Sequence, residues 1–231
     1  MREKVATGIT GLDEMLGGGI PKGNTAVVMG SFGTGKTTFA LQYIWEGLNN
    51  GEKVIFISLE EDETAIMENA STFGWDFKSK IESESLALVK LEPADAKNTI
   101  TRVKSELPAF IESFGATRVV LDSVSLLNML FHDESERRTQ LFNLSQTVKS
   151  TGATLLFTAE VKPEHPSSSR DGLVEYTSDG VILLRYHEKE DGDVQLSMRV
   201  VKMRGTKHQR TVRPYEIGPQ GLIVHAESQV F

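Results

Sequence analysis

No cysteine occurs in this 231-residue chain, which excludes disulfides, thiol nucleophiles and cysteine-ligated zinc. Histidine is scarce too: the five residues are scattered and offer no metal-ligand spacing. No apolar run reaches the ~18 residues a spanning helix needs. The opening Met1-Arg2-Glu3-Lys4-Val5 lacks the apolar core of a signal peptide, so a cytoplasmic chain without membrane contact is expected. A net charge of −7 argues against a globally basic surface, but a local basic patch stays open. What is present is ordinary for a soluble globular chain, with 39% apolar and 25% charged residues. The length suits one large α/β domain over residues 1–231.

Apolar, β-branched runs alternate with helical patterns. Thr25 to Met29, Lys53 to Leu59, Leu86 to Val89, Arg118 to Asp122 and Ala153 to Thr158 read as strands, and Thr38 to Leu48, Glu63 to Phe73, Ala96 to Phe114 and Glu134 to Ser150 as helices. This order predicts βαβ crossovers and a mostly parallel central sheet flanked by helices. The segment from Pro163 to Gly172 has loop composition and is expected to be mobile. Gly180 to Tyr186, Val194 to Met203, Thr211 to Ile217 and Gly221 to His225 then read as strands of an antiparallel C-terminal extension.

The densest chemical signal lies between the first strand and the first helix. Gly30-Ser31-Phe32-Gly33-Thr34-Gly35-Lys36-Thr37, followed by Thr38, fits a phosphate-cradling Walker A loop at every constrained position. Glycines expose backbone N–H groups beside the positive end of a helix, which suits a polyphosphate. Lys36 can reach the β- and γ-phosphates of a nucleoside triphosphate, and the Thr37 hydroxyl can ligate Mg²⁺. Base identity is not written in such a loop, so ATP and GTP are both open.

Hydrolysis needs further carboxylates. Asp122, ending Val119-Val120-Leu121, has the form of a Walker B aspartate that would join Thr37 on the metal. Glu60 and Glu61 end a neighbouring strand, and either could polarise the attacking water; capping the next helix is their simpler role. Arg199, Lys202, Arg204, Lys207, His208, Arg210 and Arg213 gather at the turn of an expected hairpin, Lys202 and Arg204 on one face. Spacing alone leaves three roles for them: a solvated edge, a nucleic-acid patch, or a cationic finger for a γ-phosphate.

Several of these segments together resemble a known family. Thr7-Gly8-Ile9-Thr10-Gly11-Leu12-Asp13, then Leu16-Gly17-Gly18-Gly19-Ile20-Pro21-Lys22-Gly23, is similar to the opening of a KaiC-type domain of the RecA/RadA superfamily. The likeness continues through Glu60-Glu61, Leu121-Asp122-Ser123 and Asp179 to Leu184, and closes with Lys202-Met203-Arg204-Gly205-Thr206-Lys207-His208. The resemblance implies a RecA-like P-loop ATPase that assembles as a homo-oligomeric ring, usually a hexamer, with ATP and Mg²⁺ between subunits. It also implies that Lys202, Arg204 and His208 act on the ATP of a neighbouring subunit.

Clock-type KaiC carries two such domains, and this chain has one. Where its second domain is autophosphorylated on an adjacent Ser-Thr pair, this chain has Glu175 and Tyr176, so hydrolysis rather than autokinase activity is expected. The expected function is a regulatory or signalling ATPase acting on an unidentified protein partner. The alternatives are a recombinase-like DNA-binding ATPase, for which the loop from Lys162 to Arg170 offers only Lys162, His165 and Arg170, and a sensor that binds nucleotide without hydrolysing it.

Overall fold

Both faces of the sheet must be covered, because its central strands are apolar at nearly every position. The computed structural model describes residues 2–91, 96–129, 131, 133–162, 164–170, 172–188 and 192–228. Strands β1 (Lys4–Val5) and β2 (Ile20–Pro21) flank helix α1 (Leu12–Met15) and form a small antiparallel pair. The main elements follow as β3 (Thr25–Gly30), α2 (Lys36–Asn49), β4 (Lys53–Ser58), α3 (Glu63–Ser71), α4 (Phe77–Glu82), β5 (Leu86–Lys90) and α5 (Ala96–Phe114). Then come β6 (Ala116–Asp122), α6 (Val124–Met129), α7 (Glu134–Ser150), β7 (Thr154–Glu160), α8 (Val174–Thr177), β8 (Gly180–Glu188), β9 (Val194–Met203), β10 (Arg213–Gly218) and β11 (Gly221–Val224).

The nine-stranded sheet runs β11-β10-β9-β8-β3-β7-β6-β4-β5. From β8 to β5 every pairing is parallel, and β9, β10 and β11 add on antiparallel. The antiparallel extension expected from Gly180 onward therefore starts one strand later: β8 is parallel to β3, because the chain from β7 crosses back through α8 before re-entering the sheet.

Period-two alternation divides the core. Val28, Phe56, Val120 and Leu156 face α2, where they meet Phe39, Tyr43 and Ile44; Val27, Ile55, Val119 and Phe157 form the other face with Leu107 of α5 and with Leu141 and Val148 of α7. Each such side chain contributes about 1.5–3 kcal/mol by leaving water. Asp62 and Asp133 start α3 and α7 by accepting from the N–H groups of Ala65 and Glu136, both at 2.9 Å.

The far end of α2 is tied to the sheet by Arg118, only 1% exposed. It donates to both Glu52 carboxylate oxygens, at 2.9 and 2.6 Å, and to the carbonyls of Tyr43 and Ala6, both at 2.8 Å. Burial alone would raise the Glu52 carboxyl, but its bonds from Arg118 and Thr117 outweigh burial and leave it lowered.

Candidate functional site

Ligands of a parallel sheet sit beyond the carboxyl ends of its strands, and four sequence candidates converge there. β3 ends at Gly30, and the loop to Lys36 turns through Gly33 and Gly35, with φ of 74° and 82°. A Cβ on Gly35 would lie 2.6 Å from Ile217 Cδ1, so the positive φ and the close approach both favour glycine. Helix α2 starts with no side-chain cap and no acid in its first turn, unlike α3 and α7. Its open N–H groups are available to an anion. Lys36 is half-buried and folds back to donate to the Ser31 carbonyl at 2.9 Å, which Thr34 Oγ1 also reaches at 2.8 Å. Burial lowers the Lys36 pKa, while the negative charges of Glu160, Asp122 and Glu60 oppose that shift.

Asp122 stands at the tip of β6. Its Oδ2 accepts from the Thr37 hydroxyl at 2.9 Å and its Oδ1 from Thr158 of β7. Burial pushes its carboxyl up, the two hydroxyls pull it down, and Glu60 and Glu61 push it up again. The structure thus brings Lys36, Thr37 and Asp122 together.

Glu60 and Glu61 follow β4, and their N–H groups share Ser58 Oγ at 3.2 and 2.9 Å. Asp62 is the cap of α3, so capping does not require either glutamate. Their side chains part company. Glu61 Oε2 accepts from Asn69 at 2.8 Å, whereas Glu60 is exposed and its charge acts on both Lys36 and Asp122.

The closing motif lies elsewhere. Lys202 pairs with Val181, which pairs with Val27, below the end of β3. Arg204 donates its N–H to the Asp179 carbonyl at 2.9 Å, and its own carbonyl accepts from Asn24 at 3.0 Å, beside the amino end of β3 and so at the other end of the strands from the loop. β9 ends at Met203, so the alternation expected to align Lys202 with Arg204 does not extend to Arg204, which is turned out at 61% exposure. Lys202 is half-buried, and its pKa is lowered by burial and then by Arg204. His208 Nε2 is buried without a partner among the described residues. Neighbouring Gln209 donates its N–H to the Met15 carbonyl at 2.8 Å. The structure therefore separates Lys202, Arg204 and His208 from the Gly30–Thr37 loop of the same chain.

The opening motif is braced on itself and against α2 and β11. Asp13 Oδ1 accepts from Thr7 N and Thr7 Oγ1, both at 2.8 Å, and Oδ2 accepts from Gly8 N at 3.2 Å, while Gln42 of α2 donates to the Gly8 carbonyl at 2.9 Å. At Gly11 (φ 80°) a Cβ would lie 2.1 Å from the Val224 carbonyl oxygen, which leaves room only for glycine.

Three contacts escaped the sequence reading. Tyr215 Oη donates to the Thr34 carbonyl at 2.6 Å, fixing the loop from β10. Ile217, 37% exposed, lies beside Gly35 as an apolar shelf. Glu160, ending β7 in register with Gly30, is the largest charge acting on Lys36 and pairs with Arg170 at 3.1 Å. No motif marks these positions; only Glu160, as an acid at a strand tip, gave a usable hint.

A family model described as "ATPase: KaiC" matches residues 5–229. The chain belongs to the KaiC-like ATPase family. This KaiC-type chain is 35% identical over 240 residues to the UPF0273 protein PH0284 of Pyrococcus horikoshii, covering 98% of this chain and 96% of that one. It is 32% identical over 231 residues to the circadian clock oscillator protein KaiC of Prochlorococcus marinus subsp. pastoris, covering 97% of this chain but 45% of that protein. Among solved structures it is similar to the KaiC-like protein PH0186 of Pyrococcus horikoshii OT3, with a TM-score of 0.86, 32% identity, and coverage of 97% of this chain and 100% of that one. Among the described residues no helix is long and apolar enough to cross a membrane, and no cluster of three or more His, Cys, Asp or Glu could hold a metal alone.

Proposed function

We propose that this KaiC-type chain binds ATP and hydrolyses it with Mg²⁺ in a site completed by a second copy of itself. The observation that carries the reading is the bond from Thr37 to Asp122 at the mouth of an uncapped α2, with Lys36 beside it. Loop N–H groups and Lys36 hold the phosphates, and Ile217 offers the base an apolar shelf. A buried carboxylate joined to a threonine hydroxyl suits a hard cation, and a P-loop metal takes its remaining ligands from phosphate and water. Thr37 and Asp122 would hold Mg²⁺, which when bound offsets charge on the β- and γ-oxygens. Glu60, free of the Asn69 contact that holds Glu61, orients the attacking water and takes its proton as the bond from the γ-phosphorus to the bridging oxygen breaks.

Lys202 and Arg204 serve the neighbouring copy. Their place below the loop, toward the amino ends of the parallel strands, supports this, as does the resemblance to ring-forming proteins. A ring, a hexamer by that resemblance, is then both enzyme and switch, with its nucleotide state presented to a protein partner. Glu175 accepts from Ser168 Oγ at 2.9 Å and from Ser169 N at 3.0 Å, a bracing role that agrees with hydrolysis rather than autophosphorylation.

The test is phosphate release from MgATP. Glu60→Gln should lower turnover by about a hundredfold or more with nucleotide still bound, Glu61→Gln should cost much less, and Lys36→Ala should lose both binding and turnover. Full turnover in Glu60→Gln would overturn the assignment of the base.

A further inference from the structure

Arg204 is rooted more firmly than a surface arginine needs to be. Its N–H donates to the Asp179 carbonyl at 2.9 Å and its carbonyl accepts from Asn24 at 3.0 Å, so the peptide groups on both sides of its Cα are fixed while its side chain stays exposed. The turn that it opens is pinned again further on, where Gln209 donates its N–H to the Met15 carbonyl. A fixed backbone under an exposed guanidinium limits where the charged head can go, yet leaves its fork of donors open to a ligand from outside the subunit.

Asp179, between α8 and β8, supplies more than that carbonyl. Its N–H donates to the Thr25 carbonyl at 2.7 Å, and its Oδ2 accepts from the Thr25 N–H at 2.9 Å and pairs with Lys149 of α7. Helix α7 brings Lys149 there because Ser145, one turn earlier, shares a hydroxyl bond of 2.6 Å with Thr25. Bracing β3 and α7 therefore uses Oδ2 alone. Oδ1 is left to Arg204 Nη1 at 3.7 Å, too long for a hydrogen bond but close enough for charge to orient the head. The same carboxylate acts on Lys202: burial and then Arg204 lower the Lys202 pKa, and Asp179, with Glu175, opposes them.

We infer that Asp179 is a positioning residue for the reaction in the neighbouring copy, aiming Arg204 at that copy's γ-phosphate while Lys149 takes up enough of its charge to let the guanidinium go. The inference rests on the reading that Arg204 serves a second subunit. A pair this long, with one partner exposed, holds weakly and is given up when a phosphate offers itself. Without Lys149, Arg204 is the nearest cation left to the carboxylate and is retained. Without the carboxylate charge, Arg204 loses its aim and faces Lys149 with nothing between them. A carboxylate that only tied β8 to β3 would need neither Oδ1 nor a second cation.

The test places Asp179→Asn in one kind of subunit at a time. A one-to-one mixture of Lys36→Ala, which keeps its closing turn, and Arg204→Ala, which keeps its loop, restores phosphate release from MgATP only where that loop meets that turn. Added to Lys36→Ala, Asp179→Asn should cut the restored rate by about tenfold or more, because misplacing a reacting group by about 1 Å can cost about a hundredfold. Added to Arg204→Ala, it should change the rate by less than about twofold, since that subunit contributes only its loop. Rates are compared at equal assembled fraction by light scattering. Asparagine still accepts from the Thr25 N–H, and thermal melting checks that the fold is kept. Lys149→Gln should show the same asymmetry, with a loss of about threefold or more, and carries the test if Asp179→Asn unfolds. A merely structural role predicts equal losses in both placements; that result, or no loss in either, would overturn the inference alone. A parent mixture that recovers no activity would instead overturn the reading of Arg204 in trans, and the inference with it.

Discussion

Mixing two inactive variants tests the composite site through geometry alone. Lys202 lies two strands from β3 and three residues below Gly30 by register, which at 4.8 Å per strand and 3.3 Å per residue puts its Cα roughly 14 Å from the start of the loop. Arg204, bonded to Asp179, whose N–H bonds to Thr25, lies about 20 Å away by the same reckoning. Neither side chain spans that gap, so each must act on another copy if it acts on ATP at all. A γ-phosphate cation supplied in trans is worth about 10³–10⁵ in turnover, so Arg204→Ala alone should be nearly inactive, as should Lys36→Ala. In a one-to-one mixture assembled at random, about one interface in four pairs an intact loop with an intact Arg204 across a head-to-tail contact. Steady-state phosphate release should therefore recover to about a quarter of wild type on mixing. If Arg204 worked on its own loop, no interface would be restored, and a mixture as inactive as its parents would refute the reasoning.

Further outcomes follow from single residues. Burial raises the folded pKa of Asp122, so the proton on it stabilises the fold below the ordinary carboxylate range, and that contribution is lost as pH rises through the raised value. At neutral pH the ionised carboxylate thus weakens the nucleotide-free protein. Asp122→Asn should raise its melting temperature by calorimetry, by about 2–4 °C per kcal/mol, with the difference vanishing in acid and hydrolysis lost. Tyr215→Phe leaves the buried Thr34 carbonyl unpaired at a cost of about 1–3 kcal/mol, and titration calorimetry with a non-hydrolysable ATP analogue should show weaker binding; unchanged affinity would remove β10 from the site. Because burial lowers the Lys36 pKa, nucleotide affinity should fall on the alkaline side at lower pH than an ordinary lysine would give, and Lys36→Arg should abolish that limb.

Much of this was legible from short-range pattern. Glu134–Ser150 and Val194–Met203 were expected with the bounds observed, because capping and alternation are written locally. Lys36 and Thr37 were legible as candidates because the spacing of such a loop between strand and helix has few other uses, and Asp122 only beside that loop, since a strand-tip acid alone serves equally as a turn or a cap. The parallel pairing of β8 was not, since strand direction depends on how the chain from β7 returns, and no residue of Gly180 to Tyr186 records it. Tyr215, Ile217 and Glu160 stayed hidden because each meets the loop from a strand remote in sequence. Glu60 and Glu61 looked equivalent until Asn69 of α3 was seen to hold one of them. How far Lys202 and Arg204 lie from the loop also needed the register, and the case for a second subunit rests on that distance.

Turnover per subunit against protein concentration tests this most directly, with assembly followed by light scattering in the same MgATP solutions. The composite site predicts that activity per subunit is very low in dilute monomer and rises with the assembled fraction. Full turnover in monomer would contradict it.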